Sequence, residues 1–131
     1  MIYAVIDTNV LVSALITKNS KSPTVKVVEA VLNGDVVPIF NDAILEEYNE
    51  VLRRRKFHLD ESIVESIIRY FNTFGIEENP VQTDVEMPDE DDRVFYEVSL
   101  SVSDSFLVTG NLKHYPHSPK IISPSDFVKL L

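Results

Sequence analysis

Short apolar runs alternate along the chain with stretches in which apolar residues return every three or four positions, and breaks rich in polar residues, Gly or Pro separate them. Ile2 to Ile6 is a mostly apolar run that meets Asp7, the pattern of a buried parallel strand ending at a polar tip. Thr8 or Asn9 is placed to cap a following helix, with Val10, Leu11, Ala14 and Leu15 as its apolar face. Lys18 to Ser22 reads as a loop. Pro23 suits the first turn of a second helix through about Leu32, and Asn33-Gly34 supplies its stop. Val36 to Phe40 predicts a second strand, in which Pro38 argues for an edge-like or terminal position.

Asn41 or Asp42 caps a long helix carrying Ile44, Leu45, Tyr48, Val51 and Leu52 at helical steps, with Glu46, Glu47 and Glu50 on the same element. Asp60 caps the next, whose stripe is Ile63, Ile67, Ile68, Phe71 and Phe74, ending at Gly75. Ile76 and Val81 flank a weak third strand. Val94, Phe95, Val98, Leu100 and Val102 tolerate either element by spacing, and their context favours helix. Ser105 to Thr109 is a fourth strand, Gly110-Asn111 a turn and Lys120 to Ile122 a fifth strand. Ser123 or Ser125 begins a C-terminal helix ending at Leu131. This alternation predicts an α/β fold, a parallel sheet of four to five strands with helices on both faces, in a single domain over residues 1–131.

Composition adds limits. No apolar run approaches the roughly 18 to 20 residues of a membrane span, and no basic segment with a small-residue cleavage site opens the chain, so the expectation is a cytoplasmic protein without a membrane partner. The absence of Cys removes disulfides, thiolate metal sites and a Cys nucleophile, which leaves oxygen and imidazole to carry any chemistry. Lys and Arg number 12 against 21 Asp and Glu, a net charge of -9, so a polyanionic substrate needs a cation to meet it. Eight of the acids lie between Glu77 and Asp92, where Pro80 and Pro88 point to a solvated loop for most of them. Arg53 to Lys56 is the opposite cluster, at a helix end where cations complement the exposed carbonyls.

Ligands of open parallel sheets bind beyond the carboxyl ends of the strands, where strand order reverses. Asp7 follows strand one, Asn111 follows strand four, Asp92 begins the helix leading to that strand, and Glu47 lies one and a half turns into its own helix. If strands one and four are neighbours, these side chains meet. Asp7 taken alone reads equally well as a helix cap. Several half-buried carboxylates together need protons or a cation, and an oxygen-only set favours Mg²⁺ or Mn²⁺ over Zn²⁺, the chemistry of phosphoryl transfer or phosphodiester cleavage.

The opening Ile2-Tyr3-Ala4-Val5-Ile6-Asp7-Thr8-Asn9-Val10-Leu11-Val12-Ser13-Ala14-Leu15, the helical Glu46-Glu47-Tyr48 with Val51-Leu52, the acidic Asp89-Glu90-Asp91-Asp92, and Asp104-Ser105-Phe106-Leu107-Val108-Thr109-Gly110-Asn111 together resemble the PIN domain. Within it, the chain is similar to the toxin components of bacterial or archaeal toxin–antitoxin pairs. The resemblance covers nearly the whole chain. It implies a three-layer α/β/α sandwich and a ribonuclease whose acids surround one or two Mg²⁺ or Mn²⁺ ions. By position, Asp7 matches the first acid, Glu47 the second and Asp92 the third, while Asp104 matches a further acid before the fourth strand. Asn111 stands where relatives often carry Asp, and an amide ligates without bringing charge. Asn9 and Thr109 match positions that orient the acids, and each could equally be a cap or a strand-end hydroxyl.

The resemblance also implies an RNA substrate, a cognate antitoxin and a homodimer. Arg53 to Lys56, Lys113 and His114 are candidates for RNA backbone contacts, and neither His114 nor His117 is assigned to the metal, because Pro116 lies between them. The competing readings are an interaction module with a weakened site and a solitary RNA-processing nuclease. A phosphatase of the haloacid-dehalogenase type needs an acid where Asn9 stands. A phosphate receiver needs acids before Asp7 that Met1 to Ile6 lacks.

Overall fold

The apolar run Ile2–Ile6 forms β1, and its burial deepens toward the carboxyl end until Ala4, Val5 and Ile6 expose no surface. In the computed structural model, which describes residues 1–131, this strand is the middle of a parallel five-stranded sheet. The others are β2 (Val36–Phe40), β3 (Ile76–Glu77), β4 (Ser105–Val108) and β5 (Ile121–Ile122), and the order across the sheet is β3-β2-β1-β4-β5. Six helices complete a three-layer α/β/α sandwich: α1 (Thr8–Ile16), α2 (Pro23–Leu32), α3 (Asp42–Leu52), α4 (Glu61–Phe74), α5 (Arg93–Ser99) and α6 (Pro124–Val128). Strand order reverses at β1, which pairs β2 on one side and β4 on the other, so a crevice opens beyond the carboxyl ends of β1 and β4.

Aromatic packing fixes the helices that border this crevice. Tyr48 of α3 is fully buried, meets the Phe71 ring of α4 edge-on at 5.5 Å between centroids, and lies 6.3 Å from Phe95 of α5. Its hydroxyl donates to the Ile6 carbonyl, which leaves no unsatisfied polar tip in the core and ties α3 to the end of β1.

Several elements differ from the sequence expectation. Asp7, not Thr8 or Asn9, occupies the cap position of α1, and its side chain makes no capping bond. Pro38 does not mark an edge, since β2 lies between β1 and β3. It is tolerated because β3 reaches only Ile39 and Phe40, so one flank of β2 has no strand neighbour at Pro38. The third strand stops at Glu77, and the Val81 amide instead donates to the Glu97 carbonyl. The buried face of α4 is Val64, Ile67 and Phe71, while Ile63 and Phe74 are exposed. Ser123 caps α6, which closes at Val128 rather than Leu131.

Candidate active site

Residues from five segments converge at the carboxyl ends of β1 and β4. Asp7, directly after β1, is 4% exposed, and its backbone N–H donates to the Val108 carbonyl, holding it against the end of β4. Its Oδ2 accepts from the Thr109 hydroxyl at 2.8 Å, the Tyr115 hydroxyl at 2.8 Å and the Asn9 amide at 3.4 Å. These donors all converge on one oxygen, so Oδ1 takes none of the side-chain hydrogen bonds and stays available as a ligand. Burial outweighs the donors and raises the Asp7 pKa above the usual carboxylate value.

Asn9 and Thr109 have connected roles. The Asn9 side-chain Oδ1 accepts from the Gly110 N–H at 3.0 Å, while Thr109 Oγ1 accepts from the Asn111 N–H at 3.0 Å. The start of α1 is thereby stitched to the turn after β4.

Glu47 enters from α3, where Asn41 caps the helix by accepting from the Ile44 N–H at 2.9 Å. One Glu47 oxygen accepts from the Thr8 hydroxyl, which leaves the other free. Burial raises its pKa, and the Asp7 charge adds to the effect.

Asp92 closes a 3-10 turn, Glu90–Asp92, immediately before α5. Burial first, then repulsion from Asp7 and Asp89, pushes its pKa up to about 6, with His114 opposing. The neighbouring Arg93 pins the acidic loop by donating to the Thr83 and Val85 carbonyls at 2.8 and 2.7 Å and pairing with Glu90 at 2.7 Å. The loop is thus tied down at its centre rather than only solvated.

Asp7, Glu47 and Asp92 therefore share one electrostatic field, and neither Asp7 nor Glu47 has a Lys, Arg or His partner within salt-bridge reach. Asp104 is not among them. It is exposed in the turn that precedes β4, and β4 then runs four residues before reaching the crevice, so Asp104 lies at the opposite end of the sheet.

Two residues belong to the site that the sequence did not assign to it. Tyr115 reaches Asp7 across 108 residues of chain, with an otherwise apolar ring 5% exposed. His114, expected only as a backbone contact, places Nδ1 3.1 Å from Asp92 Oδ2, and its Nε2 meets the Asn111 side-chain amide at 3.0 Å. Asn111 is exposed and reaches Asp92 through this imidazole. Ligand atoms of Asp89, Asp92 and His114 lie within 4.8 Å of one another.

The donor set suits a hard divalent cation: free carboxylate oxygens on Asp7 and Glu47, Asp92 beside them, and no cationic side chain to neutralise the first two. A parallel α/β/α sandwich with uncompensated carboxylates at its switch point defines a class of domain built to hold charge at the sheet's carboxyl edge. A family model described as PIN domain matches residues 3–113, and the chain belongs to the PIN domain family. Members of this family are generally nucleases that use divalent metals. Neither the curated proteins nor the solved structures gave a match.

Proposed function

We propose that the protein is a metal-dependent endoribonuclease that hydrolyses RNA phosphodiester bonds with Mg²⁺ or Mn²⁺, and that it acts in the cytoplasm as the toxin of a toxin–antitoxin pair. The observation that carries the reading is the group Asp7, Glu47 and Asp92, which share one field at the crevice, two of them without any cationic partner. Asp7 and Asp92 would hold the ion, with Asn111 and His114 flanking Asp92. The bound ion would lower the pKa of a water and offset charge on the transferring phosphoryl group.

The chain's own residues prepare that site. Thr109, Tyr115 and Asn9 fix the Asp7 carboxylate and favour its ionised form, so that one oxygen is presented in a single orientation. Thr8 does the same for Glu47, which orients the attacking water or accepts its proton. The toxin role, the antitoxin partner and a homodimer follow from the resemblance to toxin components.

Cleavage of single-stranded RNA should require Mn²⁺ or Mg²⁺ and be abolished by Asp7→Asn. Metal-independent cleavage, or cleavage that survives Asp7→Asn, would overturn the reading. Specific binding without turnover would favour the interaction module. Growth arrest on expression, relieved by the product of an adjacent small gene, separates a toxin from a solitary RNA-processing enzyme.

A further inference from the structure

A groove of about 420 Å³ adjoins the acidic crevice on the α1 and α3 side, within the roughly 300–1,000 Å³ of small-ligand sites. Glu47, Asn9 and Thr8 form its wall toward the crevice, and Val12, Ile16 and Phe57 supply apolar surface beyond them. Ser13 adds a hydroxyl, so the lining is half apolar and half hydrogen-bonding. That mixture suits a flat group with an apolar face and polar edges. It does not suit a lipid chain, because Glu47 is part of the wall.

Charge at the far end points the same way. Arg53 pairs with Glu61 at 2.6 Å and Arg54 with Glu50 at 2.9 Å, whereas Arg55 and Lys56 are exposed and have no carboxylate partner. Both belong to the 3-10 turn Arg55–Phe57, and Lys56 Nζ lies 5.1 Å from the centroid of the Phe57 ring. In a chain of net charge -9, the turn that brings Phe57 to a groove also lined by Glu47 carries two cations without a carboxylate partner, one of them against the Phe57 ring.

We propose that this groove is a nucleotide subsite. A base of single-stranded RNA next to the cleaved linkage lies against Phe57 with its polar edge on Ser13 and Asn9, and Arg55 and Lys56 contact the phosphate on its far side. Aromatic stacking and free cations are what single-strand sites combine. The proposal rests on the ribonuclease reading and adds the part of the surface that reads the strand.

The test is fluorescence anisotropy with short single-stranded RNA, with Ca²⁺ replacing Mg²⁺, using an intact strand and a series with one abasic position each. For the wild type, one abasic position should weaken binding by about fivefold or more, the lower range of base–aromatic stacking. Phe57→Leu, which keeps apolar bulk, and Phe57→Ala should weaken the intact strand similarly and remove the abasic penalty. Phe57→Tyr should retain it. Thermal melts of each variant show whether it is folded, and Phe57→Leu carries the test if Phe57→Ala is not.

An abasic penalty that persists in Phe57→Leu, or an affinity unchanged from wild type, overturns the subsite. The second result is also what a groove occupied by a protein segment would give. Manganese-dependent cleavage that remains normal in that case leaves the ribonuclease reading standing, whereas a wild type that neither binds nor cuts RNA removes both.

Discussion

Asp7 stands at the cap position of α1 without capping it, and its carboxylate instead collects hydroxyl donors from the far end of the chain. A buried carboxylate held this way depends on each donor. Tyr115→Phe removes one charge-assisted hydrogen bond while keeping the ring, so it should cost about 1–2 kcal/mol of stability at neutral pH. It should also weaken Mn²⁺ binding, because the pKa of Asp7 rises further once the donor is lost. Calorimetric titration and thermal melts check both. Asp7 and Asp92 are readable in the sequence as candidates because one follows a strand and the other immediately precedes a helix, and Glu47 because it lies inside a helix whose register the apolar pattern sets. Tyr115 was not, since a buried tyrosine after a turn reads as packing and its partner is 108 residues away. Asp104 failed for a reason present in the sequence itself: a residue before a parallel strand lies at the amino edge, away from residues that follow strands. Asp104→Asn should therefore leave cleavage within about twofold of wild type and stability within about 0.5 kcal/mol. A loss of activity comparable with Asp7→Asn would return it to the site.

Among the elements, α3 and α4 illustrate what periodicity can and cannot specify. The spacing of Ile44, Tyr48 and Leu52 gave the helix and its buried face, and Glu47 follows from that face because it adjoins Tyr48 at the crevice. In α4 the same reasoning mislocated part of the face: Ile63 and Phe74 are apolar and still exposed, because burial is decided by which neighbour arrives, not by side-chain type. Of the two shortest strands, β5 starts one residue after the expected Lys120 and β3 stops well before Val81, because elements of two residues are held by their partners rather than by their own pattern. The junction from α4 to β3 has one steric requirement the sequence only hints at. A Cβ on Gly75 would lie 2.6 Å from both the Phe71 and the Pro38 carbonyl oxygens. Gly75→Ala must push α4 and β2 apart, and should destabilise by about 1–3 kcal/mol. Chemical denaturation measures this, and a neutral result would mean that the junction yields to a methyl group without cost.

For the whole molecule, charge links folding to metal. Asp7, Glu47 and Asp92 all have raised pKa values, Asp92 to about 6 from 3.8. The folded chain thus holds protons that the unfolded chain releases, and stability in the absence of metal falls as pH rises from about 4 to about 6. The groups with lowered values, Asp60 and Glu90, are exposed, and what they contribute is complete above the ordinary carboxylate values and is lost only in more acidic solution, so it does not alter a comparison between pH 5 and pH 7.5. Growing net negative charge acts in the same direction as the buried acids. In EDTA the melting temperature should be higher at pH 5 than at pH 7.5. Divalent cations reverse the sign, since ligation requires the ionised carboxylates and competes with protons for them. Mn²⁺ at about a hundredfold over its dissociation constant adds about 2.7 kcal/mol, and should do so at pH 7.5 far more than at pH 5. Asp7→Asn, which removes one charge from the cluster, should melt higher than wild type in EDTA at pH 7.5 and gain less from Mn²⁺. A wild-type melting temperature that rises from pH 5 to 7.5 in EDTA, or that Mn²⁺ does not move at pH 7.5, would show that these carboxylates are not the metal's seat.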